Sequence, residues 1–135
     1  MSWTQPKLNW SGKSGEYFNL NPDYNRIRDN TEYVMKLGNE MYTPFSITNF
    51  TYPSLSDIPT ISFFNTIVNN IDIVKNNTFT PSGYTAMRRY QANGAIWDYN
   101  ELNKIEKNIW LLYQMLLGQK EAQRKLSFKL GGGDF

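Results

Sequence analysis

Residues 103–108, Asn-Lys-Ile-Glu-Lys-Asn, contain the pattern Asn-x-Ile-x-x-Asn, and the chain carries this pattern three times. The other copies are residues 25–30 and residues 65–70, so successive copies begin 40 and 38 residues apart. Self-similarity at a nearly fixed period is typical of one supersecondary unit that is used repeatedly. The repetition therefore predicts a scaffold built from three similar units.

The apolar residues around each copy keep a common register. They recur in steps of three, four and three residues, which places them on one stripe of an α-helix, as in the a/d seam of helices that pack together. The predicted seam residues are Tyr24, Ile27, Thr31 and Val34 in the first copy, Phe64, Ile67, Ile71 and Val74 in the second, and Leu102, Ile105, Ile109 and Leu112 in the third. The pattern predicts a mainly α fold, with an internal three-helix bundle of approximate threefold symmetry.

Two of the three helix starts can be read from the sequence. Residues 21–23, Asn-Pro-Asp, supply an N-cap, a proline at the first helical position and an acid near the positive end of the helix. Asp98 and Glu101 have the spacing of a capping box. The start of the middle helix is less clear, and Ser56 and Thr60 are alternative caps for it.

Long connections separate the three predicted helices. Residues 45–52 alternate apolar and polar side chains between two prolines, which predicts a short half-buried strand. Residues 78–84 are rich in turn-forming residues. Connections of this length are uncommon in compact domains unless they bind something or dock. We expect a single helical-repeat domain over residues 1–130 and a flexible, glycine-rich tail at residues 131–135.

Residues 11–14, Ser-Gly-Lys-Ser, end like a phosphate-binding loop. The full pattern requires a glycine five residues before Gly12, where the chain has Lys7, and no strand-like apolar run precedes the loop. The sequence therefore predicts a flexible turn at this place.

Several catalytic chemistries are excluded by composition. The chain has no histidine and no cysteine, which removes the usual base at neutral pH, the Ser-His-Asp arrangement and nearly all zinc sites. A pair of carboxylates as in glycosidases remains possible, and the candidates are Asp23, Asp29, Glu32, Glu101 and Glu106. We expect all of them at helix starts or on polar helix faces, where acids have an electrostatic role. The sequence therefore predicts a protein without catalytic residues, cofactor or metal.

Charge and hydropathy limit the partners. A net charge of +2, scattered along the chain, does not predict a nucleic-acid partner, which needs a clustered basic face. The longest apolar stretch, residues 109–117, is too short to span a membrane. The first residues have no charged leader or apolar core of a signal peptide, so we expect synthesis and folding in a cytoplasm.

Aromatic residues outside the seam mark candidate interfaces. The third helix is apolar nearly all round over residues 109–117, which is more than one seam requires. We predict that Trp110 and Tyr113 contact either a neighbouring subunit or the long loops. The other candidate interface residues are Phe79 and Tyr84 in a loop and Phe135 in the tail. Exposed aromatic rings also stack on sugars, which keeps carbohydrate binding open as an alternative.

Parts of the chain resemble a known element. Residues 23–27 with Asn30, and residues 101–109, resemble the Leu-Asn-x-Ile-Glu-x-x-Ile element of tail, baseplate and fibre proteins of phages and prophages of Gram-positive bacteria. The opening Trp-Thr-Gln-Pro-Lys, residues 3–7, is also similar to the starts of such proteins. In that family the element is a helix that packs against copies of itself and attaches or trimerises fibre parts. Arg28 departs from the pattern, because the family has an acid there.

The resemblance implies a non-enzymatic virion structural protein, such as a tail-tip, baseplate, collar or fibre-attachment component. Its partners would be other virion structural proteins, and several copies would be present in one assembly. It would be made in the cytoplasm of the host bacterium and reside in the virion. The alternative is a receptor-binding or carbohydrate-binding module that uses the loop aromatics to hold a host surface glycan.

Overall fold

The computed structural model describes residues 3–48, 61–87, 89 and 99–131, without the side chains of residues 20–21, 61–64 and 127–131. The described chain is mainly helical and contains no strand. Its helices are α1 (Asn25–Met41), α2 (Ile61–Asn77) and α3 (Tyr99–Gly131), and a π-helical turn, Leu20–Tyr24, precedes α1. The strand predicted at residues 45–52 is therefore wrong for residues 45–48, and the rest of it lies outside the described residues.

The first helix begins in a wider turn than the sequence predicted. The N–H of Tyr24 donates to the carbonyl of Asn19, five residues back, at 3.0 Å. The carboxylate of Asp23 accepts the N–H of Asn19 at 2.9 Å, so this acid does satisfy a backbone donor at the helix start. The predicted cap Asn21 has no described side chain, and the predicted caps at residues 56, 60 and 98 lie outside the described residues.

The predicted seam forms the core. The least exposed of its members, at 0–1% of their surface, are Tyr24, Ile27, Thr31, Val34, Ile67, Ile71, Val74, Ile105, Ile109 and Leu112, while Leu102 is 9% exposed. Each of the three helices contacts the other two. Thr31 is tolerated in the seam because its hydroxyl donates to the carbonyl of Ile27 at 2.7 Å. The side chain of Phe64 is not among those described.

Contacts along the helices show that they point the same way. Near the start of α1, Arg26 binds Glu106 of α3, and just past its end the Tyr42 hydroxyl binds Gln119, so both helices advance together. Gly38 near the end of α1 lies against Thr78, the residue after α2. When consecutive helices run parallel, the chain leaves one helix at its C-terminal end and must travel back past its full length before the next helix begins. This geometry explains why the connections at residues 42–60 and 78–98 are long.

The third helix continues past the ends of the other two. Lys120 pairs with Glu40 at 2.9 Å, beside the end of α1, and residues 121–126 are all exposed. The helix ends at Gly131, the first residue of the predicted tail; residues 132–135, including Phe135, lie outside the described residues. No helix in the described part of the chain is long and apolar enough to cross a membrane.

Candidate functional site

An extended segment at the N-terminus lies along α3 and is called strap 1 here (residues 3–12). It runs antiparallel to the helix, because its successive residues meet successively earlier residues of α3. The contacts are Trp3 with Tyr113, Lys7 with Glu106, Trp10 with Asn103, and Gly12 with Tyr99. Gly12 has φ +72°, and a Cβ there would lie 2.5 Å from the Tyr99 ring, so both backbone and space favour glycine.

The second asparagine of each repeated motif holds a threonine backbone through two hydrogen bonds. Its side-chain oxygen accepts the threonine N–H, and its side-chain nitrogen donates to the threonine carbonyl, at distances of 2.7–3.0 Å. The pairs are Asn30 with Thr4, Asn70 with Thr48, and Asn108 with Thr85. These three asparagines are 0–1% exposed. We call each pair an asparagine clamp. The side-chain amide accepts from the threonine N–H and donates to the threonine carbonyl, as the backbone of a neighbouring β-strand would do.

Sequence reasoning missed the clamps, although a signal for them exists. Each clamped threonine follows an apolar or aromatic residue, in the dipeptides at residues 3–4, 47–48 and 84–85. Each precedes its asparagine by a similar distance of 26, 22 or 23 residues. A search for apolar–threonine dipeptides at a similar, though not identical, offset before each helical motif would have found this second repeated element.

The second strap is residues 45–48, of which Phe45 and Thr48 are held by different helices. Asn39 of α1 accepts the N–H of Phe45 at 2.9 Å and donates to its carbonyl at 3.1 Å. Asn70 of α2 clamps Thr48. Strap 2 therefore bridges the groove between α1 and α2.

The third strap is residues 83–87 with Arg89, and it bridges α2 and α3. The Tyr84 hydroxyl donates to Asp72 of α2 at 2.7 Å, and Arg89 donates to the same carboxylate at 3.0 Å. Asn108 of α3 clamps Thr85. Strap 1 bridges the remaining pair, since it is bound to α1 at Asn30 and to α3 along residues 99–113.

Glu106 forms a buried charge network at the start of the helices. It was expected on a polar helix face, and that prediction is wrong, because it is 1% exposed. Its carboxylate accepts four hydrogen bonds, from Lys7 N–H (3.0 Å), Trp10 Nε1 (2.6 Å), Arg26 Nε (2.6 Å) and Arg26 Nη2 (2.8 Å). Strap 1 and α1 thus supply the donors that make burial of this charge tolerable.

Arg26 is the positive centre of this network and binds two carboxylates. Besides Glu106, it donates to Asp23 at 3.1 Å. Burial alone lowers the pKa of the Arg26 guanidinium, but the hydrogen bonds and charges of Glu106 and Asp23 outweigh burial and raise it. The two carboxylates therefore favour the charged form of Arg26.

Tyr84 offers a test of strap 3 at alkaline pH. Burial, and then the hydrogen bond and charge of Asp72, raise the pKa of the Tyr84 hydroxyl well above its ordinary value. The unfolded chain loses this proton near pH ~10 while the folded chain keeps it, so the stabilisation is complete below that pH and is lost as pH rises further. We expect the free energy of unfolding to fall more between about pH 9 and about pH 11 in the wild type than in Tyr84→Phe.

Urea unfolding at the two pH values measures this difference. Tyr17→Phe is the matched control, because Tyr17 is 72% exposed and should leave the wild-type pH dependence unchanged. If the free energy of unfolding falls equally in the wild type and in Tyr84→Phe, the pKa of the Tyr84 hydroxyl is not raised in the folded chain.

The predicted interface residues Trp110 and Tyr113 lie outside the seam in a half-buried aromatic cluster. Trp3 of strap 1 stacks on Tyr113 with ring centroids 3.9 Å apart and lies 6.0 Å from Trp110. Tyr33 of α1 lies 5.9 Å from Tyr113. The rings of α3 therefore meet the N-terminal strap and α1 of their own chain.

The other predicted interface residues are dispersed. Phe79, in the loop after α2, is 62% exposed, whereas Tyr84 is half-buried and bound to Asp72. Phe135 lies outside the described residues. Of the four predicted interface residues that the structure describes, Trp110 and Tyr113 share one cluster, whereas Tyr84 is bound to α2 and Phe79 is exposed in the loop after it.

No family model, curated protein or solved structure matches the chain. Its role is therefore inferred from the residues that the structure brings together. The polar side chains of the repeated motif bind backbone groups of straps 1, 2 and 3, which is an architectural task. In the described part of the chain, no group of three or more acidic side chains could hold a metal ion.

Proposed function

We propose that the chain is built from three strap-and-helix units around an approximate threefold axis, as a parallel three-helix bundle. Three clamps of one geometry support this proposal, each placed on the same residue of the repeated motif. The straps also follow one rule: each bridges its own helix and the preceding one, with α3 counted as preceding α1. A single chain would then imitate a homotrimer.

We propose that this protein is a non-catalytic structural subunit of a phage virion, in the tail tip, baseplate, collar or fibre attachment. The observation that carries the proposal is the use of the motif's polar residues. Asn103, Glu106 and Asn108, in the element that resembles virion proteins, all bind straps. The polar side chains of this motif form their hydrogen bonds within the chain, which makes the fold rigid. Rigidity suits an assembly component, since such a component must keep its shape when other subunits bind to it and exert force on it.

The proposal includes partners and location. Other virion structural proteins bind the finished scaffold, and several copies occupy one assembly after synthesis in the bacterial cytoplasm. Exposed surface beyond the core is available for such contacts, because residues 121–126 of α3 are exposed. The scaffold acts mechanically and needs no cofactor.

Immunogold labelling of purified phage particles tests the proposal, with an antibody raised to this chain. We expect label at one position on the tail or neck. Particles are also labelled after mild disruption, so that a buried epitope is exposed. Absence of label from both intact and disrupted particles would overturn the structural role.

A receptor-binding or carbohydrate-binding module is the second candidate. It is favoured by Phe79, whose ring is 62% exposed in the loop after α2. In that case Phe79→Ala should abolish binding of the chain to a surface glycan. Retention of full glycan binding in Phe79→Ala would show that Phe79 is not part of the site.

A further inference from the structure

The loop between strap 1 and α1 borders an open depression of about 550 Å³. Tyr17 on its rim is 72% exposed, whereas Asp23 in its lining is 6% exposed. The other lining residues are mainly polar and include Lys7, Lys13, Glu16 and Asn19. One accessible aromatic ring thus stands beside several groups that can form hydrogen bonds.

Glu16 fixes the shape of this loop. Its carboxylate oxygen Oε1 accepts the N–H groups of Ser11 and Gly12 at 2.8 and 2.9 Å, and Oε2 lies 3.3 Å from the Lys7 ammonium. The hydrogen bonds from the two backbone N–H groups are the main cause that lowers the pKa of Glu16. The Glu16 N–H also donates to the Lys13 carbonyl at 3.1 Å, which closes a turn over residues 13–16 that overlaps the flexible turn predicted at residues 11–14.

Tyr17 and Asn19 are also held in place. The Asn19 side chain donates to the Tyr17 carbonyl at 3.2 Å, and the Asn19 N–H donates to Asp23. The Tyr17 ring is 72% exposed and so gains little burial from folding, while its backbone carbonyl accepts a hydrogen bond within the loop. A backbone loop that is ordered before binding reduces the entropy lost when a ligand binds.

The buried carboxylate of Asp23 retains hydrogen-bonding capacity. Its two oxygens accept one hydrogen bond each in the described structure, from Asn19 N–H and from Arg26 Nη2. A carboxylate has about four lone-pair sites, so Asp23 can also accept a hydrogen bond from a ligand hydroxyl. Lys13 and Asn19 can contribute additional polar contacts at the side of the depression.

The chemistry of the lining selects the ligand class. Its two ammonium groups, Lys7 and Lys13, balance the two carboxylates, Glu16 and Asp23, so neither an anion nor a cation gains from the net charge. Tyr17 and Pro22 provide too little apolar surface for a hydrophobic peptide. A sugar ring has an apolar face that stacks on an aromatic side chain and hydroxyl groups at its edge.

We propose that this depression is a binding site for a neutral saccharide, stacked on Tyr17 and hydrogen-bonded to Asp23 and Asn19. The site adds a ligand-binding function to the proposed assembly role and does not depend on it. It also differs from the loop aromatics of the second candidate function, because Phe79 does not line it.

Saturation-transfer NMR on the full chain tests the site, with glucose, galactose and N-acetylglucosamine as probes at about millimolar concentration, the range in which single weak contacts are measured. We expect transfer to the ring protons of at least one probe, reduced about 10-fold in Tyr17→Ala. Tyr17→Trp should retain the signal, because an indole also stacks on sugars. Leu126→Ala is the matched control, because Leu126 is 58% exposed on α3 and does not line the depression, and it should retain the signal too.

Three results would overturn the proposal: no transfer to any probe, the same signal in the wild type and Tyr17→Ala, or a loss in Leu126→Ala that equals the loss in Tyr17→Ala. Glucuronic acid serves as an anionic probe. Tighter binding of glucuronic acid than of glucose would contradict the assignment to neutral sugars. Gold labelling of virions and sugar binding are separate readouts, so either proposal can fail while the other stands.

Discussion

Glu106→Gln is expected to lower the free energy of unfolding by about 3–5 kcal/mol, the range observed when one partner of a buried ion pair is removed. The side chains of Arg26 and Glu106 are 9% and 1% exposed, so water cannot replace the lost carboxylate. The glutamine amide keeps the size of the side chain but presents one acceptor where the carboxylate presents two. Arg26, Trp10 and the Lys7 N–H would then compete for it.

Urea unfolding followed by circular dichroism measures this loss. Asp29→Asn is the matched control, because Asp29 pairs with Arg28 at a partly exposed position, with side chains 35% and 25% exposed. Such pairs contribute about 0–1 kcal/mol. A loss for Glu106→Gln no larger than that for Asp29→Asn would mean that the network does not stabilise the fold.

The second large effect is expected from the clamps. Asn30→Asp, Asn70→Asp and Asn108→Asp should each lower the free energy of unfolding by about 2–4 kcal/mol near neutral pH. Aspartate has the shape of asparagine, but its buried carboxylate cannot donate to the threonine carbonyl and faces that oxygen instead. If the three units are equivalent, the three losses should agree within about a factor of two.

The clamp variants should also depend on pH in a defined direction. Burial raises the pKa of the introduced carboxyl above its ordinary value of about 3.9, and the protonated form can donate to the threonine as the amide does. The deficit relative to the wild type should therefore be small in acid and grow as pH rises through the raised pKa.

Unfolding titrations of each variant and the wild type across this pH range measure the deficit. Asn76→Asp, at an exposed position of α2, should remain within about 0.5 kcal/mol of the wild type throughout. If the loss of unfolding free energy is the same at all pH values, the hydrogen bond from the amide nitrogen to the threonine carbonyl does not account for the stability of the clamp.

The seam was predictable because helical packing leaves a local periodic signal. Ile27, Ile67 and Ile105 occupy equivalent positions in the three copies, and all are 0% exposed. The alternation over residues 45–48 was also read correctly as alternating burial, since Phe45 and Ile47 are half-buried while Ser46 and Thr48 are exposed. The inference of a strand failed because the partner of this segment is a set of asparagine side chains.

The clamps and the Glu106 network could not be predicted in the same way. Glu106 is joined to Arg26 across 80 residues and to Lys7 across 99, and no local pattern records those distances. From the local sequence alone, a glutamate side chain in a polar stretch of helix is expected to be exposed to solvent. Its burial depends on donors that arrive only when strap 1 and α1 pack against α3.

The sequence by itself determined three helices, their common buried stripe and the repetition of one unit, because these follow from the spacing of residues within each helix. Tertiary structure decided the parallel direction of the helices, the path of the straps, and which polar side chains are buried. The physical reason is that a polar group becomes stable inside the protein only when its partners are brought to it, and here those partners come from distant parts of the chain.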